Sequence, residues 1–174
     1  GGLGLIGGGY GDQAWLDEQF QAAGSETVGV GFITWALNQN PSLLTRVLKH
    51  KPRAVMLSFG DPGPYVDEIR ASGAALICQC QNISHVKDAV EARADVVIAQ
   101  GAEAGGHGAS RGVMSFVPET ADYLAKNAPN AVLVAAGGIG DGRGLAAALM
   151  LGADGVLLGT RLWASREALV QAGH

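Results

Sequence analysis

Residues 100 to 108 read Gln-Gly-Ala-Glu-Ala-Gly-Gly-His-Gly, so His107 stands among Gly105, Gly106 and Gly108 with nothing bulky to shield it. A free imidazole titrates near pH 6.5 (roughly), which suits proton abstraction at neutral pH. Read alone, such a loop histidine is as readily a solvated side chain. Its setting favours a base, because the loop follows the apolar run Ala94-Asp95-Val96-Val97-Ile98-Ala99 directly. In parallel α/β proteins the loop after a strand's carboxyl end is where ligands bind. Gln79 and Gln100 end two apolar runs in the same way. A strand-end amide needs a partner, either neighbouring backbone or a heteroaromatic ring whose edge carries donors and acceptors. Gly137 and Gly138 close one further run, Gly159 and Thr160 another. Glycine lets an oxyanion approach backbone N–H groups, and Thr160 adds a hydroxyl, so these two ends suit a phosphate; tight turns alone are the plainer reading. Asp141 is expected to cap the helix that follows, with Arg143 able to support a phosphate or pair with a carboxylate.

His50, His85 and His174 lack a comparable setting. No HxH or HExxH spacing suggests a metal, and no GxSxG elbow or P-loop pattern appears.

The elements that position these residues follow from hydrophobic periodicity. Strands are expected at residues 3–6, 28–34, 54–59, 74–80, 94–99, 131–136 and 155–158. Helices are expected at 12–23 (Asp12 as N-cap), after Pro41, at 64–71, 84–92 (Ser84 as N-cap), 118–126, 142–151 and 164–172. This βα alternation, with a period near 25 residues (about), demands a parallel sheet with right-handed crossovers. An open doubly wound sheet is one solution. A (β/α)8 barrel of the TIM type fits better, because functional loops follow nearly every strand. Such a barrel would be incomplete here, with about seven parallel strands present and the first βα unit missing, since the type needs about 250 residues.

The 174 residues are expected to form a single partial domain. The chain has 27 glycines, about twice ordinary usage, clustered after apolar runs. The net charge of −4 with no Lys/Arg block offers nothing for nucleic acid or an anionic membrane. No apolar run reaches membrane-spanning length and no signal peptide is legible. Cys78 and Cys80, at i and i+2 on a strand, share a face but suit a disulfide poorly. They read as small buried side chains in a reducing compartment, hence a cytoplasmic protein.

Three stretches together carry a resemblance: 100–108, Ala135-Ala136-Gly137-Gly138-Ile139-Gly140-Asp141-Gly142-Arg143-Gly144, and Leu151-Gly152-Ala153-Asp154-Gly155-Val156-Leu157-Leu158-Gly159-Thr160-Arg161. With Val28 to Thr34 and the opening Gly1-Gly2-Leu3-Gly4, they resemble the nitronate monooxygenase family, formerly the 2-nitropropane dioxygenases, in order along essentially the whole chain. The resemblance implies an FMN-dependent TIM barrel that oxidises alkyl nitronates with O2 to a carbonyl compound and nitrite. It implies His107 as general base, with Gln79, Gln100 and Gly105 beside the flavin and Gly137, Gly138, Gly159 and Thr160 at the FMN phosphate. The expected partners are a small nitronate and O2, with self-association left open. The family's first strand and its closing C-terminal helices are expected outside these residues. Arg93 stands where a tight-turn glycine is expected. An FMN-dependent enoyl-acyl-carrier-protein reductase shares these motifs and is the alternative, though the segment Phe32-Ile33-Thr34-Trp35 favours the monooxygenase. An inactive fragment, or a non-catalytic phosphate-binding barrel, is a third reading.

Overall fold

The structure, a computed structural model, describes residues 2–9, 11–108 and 110–168. Seven strands form one sheet in sequential order: β1 (Gly4–Gly7), β2 (Val28–Ile33), β3 (Ala54–Ser58), β4 (Ala75–Cys80), β5 (Val96–Gln100), β6 (Val132–Ala136) and β7 (Gly155–Leu157). Every neighbouring pair is parallel. Sequential order with right-handed crossovers sends every connecting helix to the same face. A doubly wound sheet reverses its order partway and is covered on both faces. Sequential order therefore selects the barrel type, open here between β1 and β7.

The packing divides by residue parity. On one face Val30, Phe32, Val55, Leu57, Leu76, Cys78, Val97, Ala99, Leu133 and Ala135 join helix residues such as Leu16, Leu44, Ile69, Val86 and Phe116 in one buried core. The other parity supplies a separate cluster made of strand residues alone: Ala54, Ile77, Ile98 and Ala136, flanked by Met56, Val96, Val134 and Leu157. That second cluster is the barrel interior, and Ser58, Gln79 and Gln100 continue its parity to the strands' carboxyl ends. Glycine in β2 belongs to this layering. A Cβ on Gly31 would lie 2.8 Å from Met56 Cε, and one on Gly29 would lie 2.6 Å from Leu5 Cδ2. Neighbouring side chains fill the space that β2 leaves.

The helices are α1 (Gln13–Ala23), α2 (Thr34–Leu37), α3 (Ser42–Leu48), α4 (Val66–Ser72), α5 (Ile83–Glu91), α6 (Val113–Asn127), α7 (Gly142–Met150) and α8 (Thr160–Trp163), with a 3-10 turn at Gly63–Tyr65. Asp12 and Asp141 cap α1 and α7 as expected, accepting from Trp15 N and from Arg143 N and Gly144 N. Ser84 does not cap α5. Asn82 does, extended at φ −155° with its side chain accepting from His85 N, so the helix starts earlier. Helix α6 likewise starts at Val113 rather than Pro118. The bond that Pro118 cannot make would have gone to Met114, which lies in an exposed first turn where the loss is tolerable. Strand β3 stops at Ser58 because Phe59 turns to φ +62°. Helix α8 ends at Trp163, and residues 164–168 form turns and bends; the rest of the helix expected at 164–172 lies outside the described residues.

Two aspartates one residue ahead of their strands pin the sheet's lower rim. Asp95 accepts from Leu76 N and Asp154 from Leu133 N, each at 2.8 Å. Arg93 adopts φ +54°, the left-handed conformation for which a glycine was expected. Among the described residues no helix is long and apolar enough to cross a membrane.

Candidate active site

The parallel register gathers the carboxyl ends of β3, β4 and β5 side by side. Ser58 pairs in register with Gln79, and Gln100 lies two residues beyond Ile98, the partner of Gln79. Shared parity makes these three side chains neighbours on the interior face, and they form a hydrogen-bonded row. Ser58 Oγ donates to Gln79 Oε1 at 2.9 Å, and Gln79 Nε2 donates to Gln100 Oε1. Gln100, 3% exposed, donates through Nε2 to the backbone oxygen of His107 at 2.9 Å. Gln81, just past the end of β4, donates to the same oxygen at 2.8 Å. The loop after β5 thus returns to the strand ends it left, tied there by two buried amides.

Two rings flank the His107 side chain, which is itself exposed. Phe59 lies 5.3 Å away between centroids and Trp35 6.4 Å away, edge-on. Both follow strand ends, Phe59 after β3 and Trp35 after β2. The imidazole therefore stands at the mouth of the barrel interior beside an apolar wall. The other described histidines lie elsewhere. His50 stacks on Phe20 at 4.6 Å and contacts Asp17 in the outer helical layer, and His85 sits in the first turn of α5 against Asn82.

Glu103 stabilises the loop: both its oxygens lie 3.0 Å from Val113 N, capping α6 from within the His107 loop. The loop packs on the turn after β6. A Cβ on Gly137, at φ +117°, would lie 3.0 Å from Ala104 N and 3.2 Å from Gly101 O. A Cβ on Gly138, at φ +67°, would lie 3.2 Å from Glu103 Cβ. Gly105 approaches the next strand end, its Cβ position 3.1 Å from Thr160 Oγ1. Residues 101–108, 137–140 and 159–160 therefore form one continuous rim.

Parts of that rim are open. Beside Gly140 and Gly159 a Cβ would meet nothing within 4 Å. The space, the glycine backbone and the Thr160 hydroxyl fit a phosphate group, while the amides of Gln79 and Gln100 fit the polar edge of a ring. A flavin mononucleotide has both parts, so the residues present fit that cofactor. Arg143 is turned to its own helix cap: its guanidinium pairs with Asp141, which lowers the Asp141 carboxyl below its ordinary value. Among the described residues no cluster of His, Cys, Asp or Glu could hold a metal ion. Cys78 and Cys80 are free and buried on the helix-facing side, away from the interior. Burial pushes the Cys78 thiol up to about 12, and that of Cys80 upward too.

Gln79, Gln100, Gly105, His107, Gly137, Gly138, Gly159 and Thr160 all fall at the carboxyl-end rim of the sheet. Gln81, Ser58, Phe59 and Trp35 were missed as members of it. The alternation Gln79-Cys80-Gln81 was a usable signal, since residues two apart on an extended segment share a face.

A family model described as nitronate monooxygenase matches residues 21–174. Among curated relatives, nitronate monooxygenase npaC of Metarhizium robertsii is 42% identical over 160 residues, 84% of this chain and 44% of that protein. The nitronate monooxygenase of Pseudomonas aeruginosa is 37% identical over 94% of this chain and 49% of its own length. Among solved structures, FabK from Thermotoga maritima superposes with a TM-score of 0.86 at 33% identity, covering 98% of this chain and 54% of that one. The chain thus spans about half the length of the curated relatives it matches, and its seven strands are part of a TIM-type barrel. It belongs to the nitronate monooxygenase family, whose members are flavin-dependent oxidoreductases.

Proposed function

We propose that residues 1–174 are a single, partial FMN-binding barrel domain of an enzyme that oxidises alkyl nitronates with O2, yielding a carbonyl compound and nitrite. FMN, when bound, supplies the two-electron chemistry. The chain's own residues do the rest. Gln79 and Gln100 present amides to the ring edge. Gly105 lets the loop approach closely. Gly137, Gly138, Gly159 and Thr160 form the phosphate end. His107 takes the α-proton of a neutral nitroalkane on a ring nitrogen, generating the nitronate beside the cofactor. Phe59 and Trp35 limit water on that side and offer an apolar surface to the alkyl group.

One observation carries this reading: the loop bearing His107 is tied to the amide row at one end and meets Thr160 of the phosphate rim at the other. A base, a ring-edge site and an anion site thus adjoin within one rim. The partners are small molecules, a nitronate and O2, and the compartment is the cytoplasm, in keeping with two free buried thiols.

The test is anaerobic mixing of the full-length, FMN-loaded protein with propionate-3-nitronate. The flavin absorbance should bleach. Bleaching by NAD(P)H alone, followed by reduction of an enoyl thioester, would overturn the proposal in favour of an enoyl-acyl-carrier-protein reductase. Failure of the protein to quench FMN fluorescence would favour a non-catalytic barrel.

A further inference from the structure

The carbonyl of His107 accepts two hydrogen bonds from buried amides, Gln81 Nε2 at 2.8 Å and Gln100 Nε2 at 2.9 Å. These use both lone pairs of that oxygen. The surrounding chain explains why such anchoring matters. Gly105, Gly106 (φ +83°) and Gly108 give the loop wide backbone freedom, so the place of the imidazole depends on what holds its own peptide. Phe59 and Trp35 meet the ring, at 5.3 and 6.4 Å between centroids. Gln81 is well placed to hold the peptide. It is 9% exposed and sits between the end of β4 and Asn82, the cap of α5, and its own backbone N–H is directed at His85 Nδ1 at 3.4 Å. Its amide also lies 3.4 Å from Gln100 Oε1.

We propose that Gln81 is a positioning residue for His107: its side-chain amide, anchored on a strand end and a helix cap, holds the peptide of the base so that the imidazole faces the substrate. This rests on His107 being the base. Gln100 shares the clamp but also belongs to the expected flavin contacts, so its removal would confound two effects. Gln81 is not among the expected flavin contacts; its amide meets that set only through Gln100 Oε1 at 3.4 Å, which is why FMN binding is measured alongside turnover.

The experiment uses the full-length, FMN-loaded protein with Gln81→Leu and Gln81→Glu. Leucine keeps the bulk and removes the donor. An ionised glutamate keeps the shape but can only accept, so it opposes the carbonyl. Losing one buried hydrogen bond predicts a fall of about 5- to 10-fold in kcat/KM for neutral nitroethane, mainly in kcat. Pre-formed ethylnitronate, which needs no proton removed, should change far less, and the FMN dissociation constant should stay within about twofold. Amide hydrogen exchange across residues 101–108 should rise about 5-fold in the apoprotein, with β4 and β5 unchanged. For Gln81→Glu the activity relative to parent, taken at each pH, should recover as pH falls through about 5, where a protonated carboxyl donates again.

Unchanged exchange in 101–108 would overturn the clamp. So would parallel losses on both substrates together with weaker FMN binding, which mark general disruption. Raised exchange without a selective loss on nitroethane would overturn the positioning role. If the parent turns over neither substrate, the functional reading has failed and the positioning role fails with it, while the exchange measurement still decides whether Gln81 holds the loop.

Discussion

Gly137 and Gly159 lie on the same rim and should respond to alanine in opposite ways. Gly137 sits at φ +117°, where L side chains are rarely found, and its Cβ would meet two backbone atoms, Ala104 N at 3.0 Å and Gly101 O at 3.2 Å. The dihedral alone costs about 1–3 kcal/mol. Relieving the contacts means moving the His107 loop by a few tenths of an ångström, against the Gly101 N to Ala136 O bond of 2.8 Å and the Glu103 cap. A total of about 2–4 kcal/mol follows, which with a urea slope near 2 kcal/mol/M lowers the midpoint by about 1–2 M. Gly159 is different: its φ is −116° and a Cβ there meets nothing within 4 Å. Gly159→Ala should leave the unfolding free energy within about 0.5 kcal/mol of parent. If the phosphate sits there, the same methyl should weaken FMN binding about 10- to 100-fold, the worth of a charge-assisted backbone bond. Urea unfolding of the apoprotein and fluorescence titration with FMN read the two effects separately. Equal stability losses in both variants would refute the division. So would unchanged FMN affinity in Gly159→Ala.

Glu103→Ala should cost about 1 kcal/mol by uncapping α6, and Glu103→Gln, which retains an acceptor, less; chemical denaturation checks the order. Cys78 and Cys80 should resist iodoacetamide at pH 8 in the native state and react fully in denaturant, because burial holds both thiols protonated; mass spectrometry counts the adducts.

The residues that were legible in the sequence owe their roles to near neighbours. Asp12 and Asp141 cap the helices that begin one residue later, and a cap is a local interaction. The strands were legible because each is an apolar run ended by glycine or a polar residue, and sequential βα repetition then constrains the sheet. Ser84 was mistaken for a cap because serine and asparagine suit that position about equally, and only backbone conformation chooses Asn82. Non-local roles were out of reach. Glu103 caps a helix starting ten residues later, which depends on how the loop folds back. Gln81 meets His107 across 26 residues, and the Phe59 ring reaches the site because its backbone turns left-handed. The site's glycines look alike in sequence, yet Gly137 is required by the fold whereas Gly159 borders open space.

The most direct measurement compares His107→Asn with parent in the full-length, FMN-loaded protein, using neutral nitroethane and pre-formed ethylnitronate. If His107 is the base, kcat/KM for nitroethane should fall by about 10²–10⁴ while that for the nitronate changes by less than about tenfold. Equal losses on the two substrates, or full activity toward nitroethane, would contradict the account.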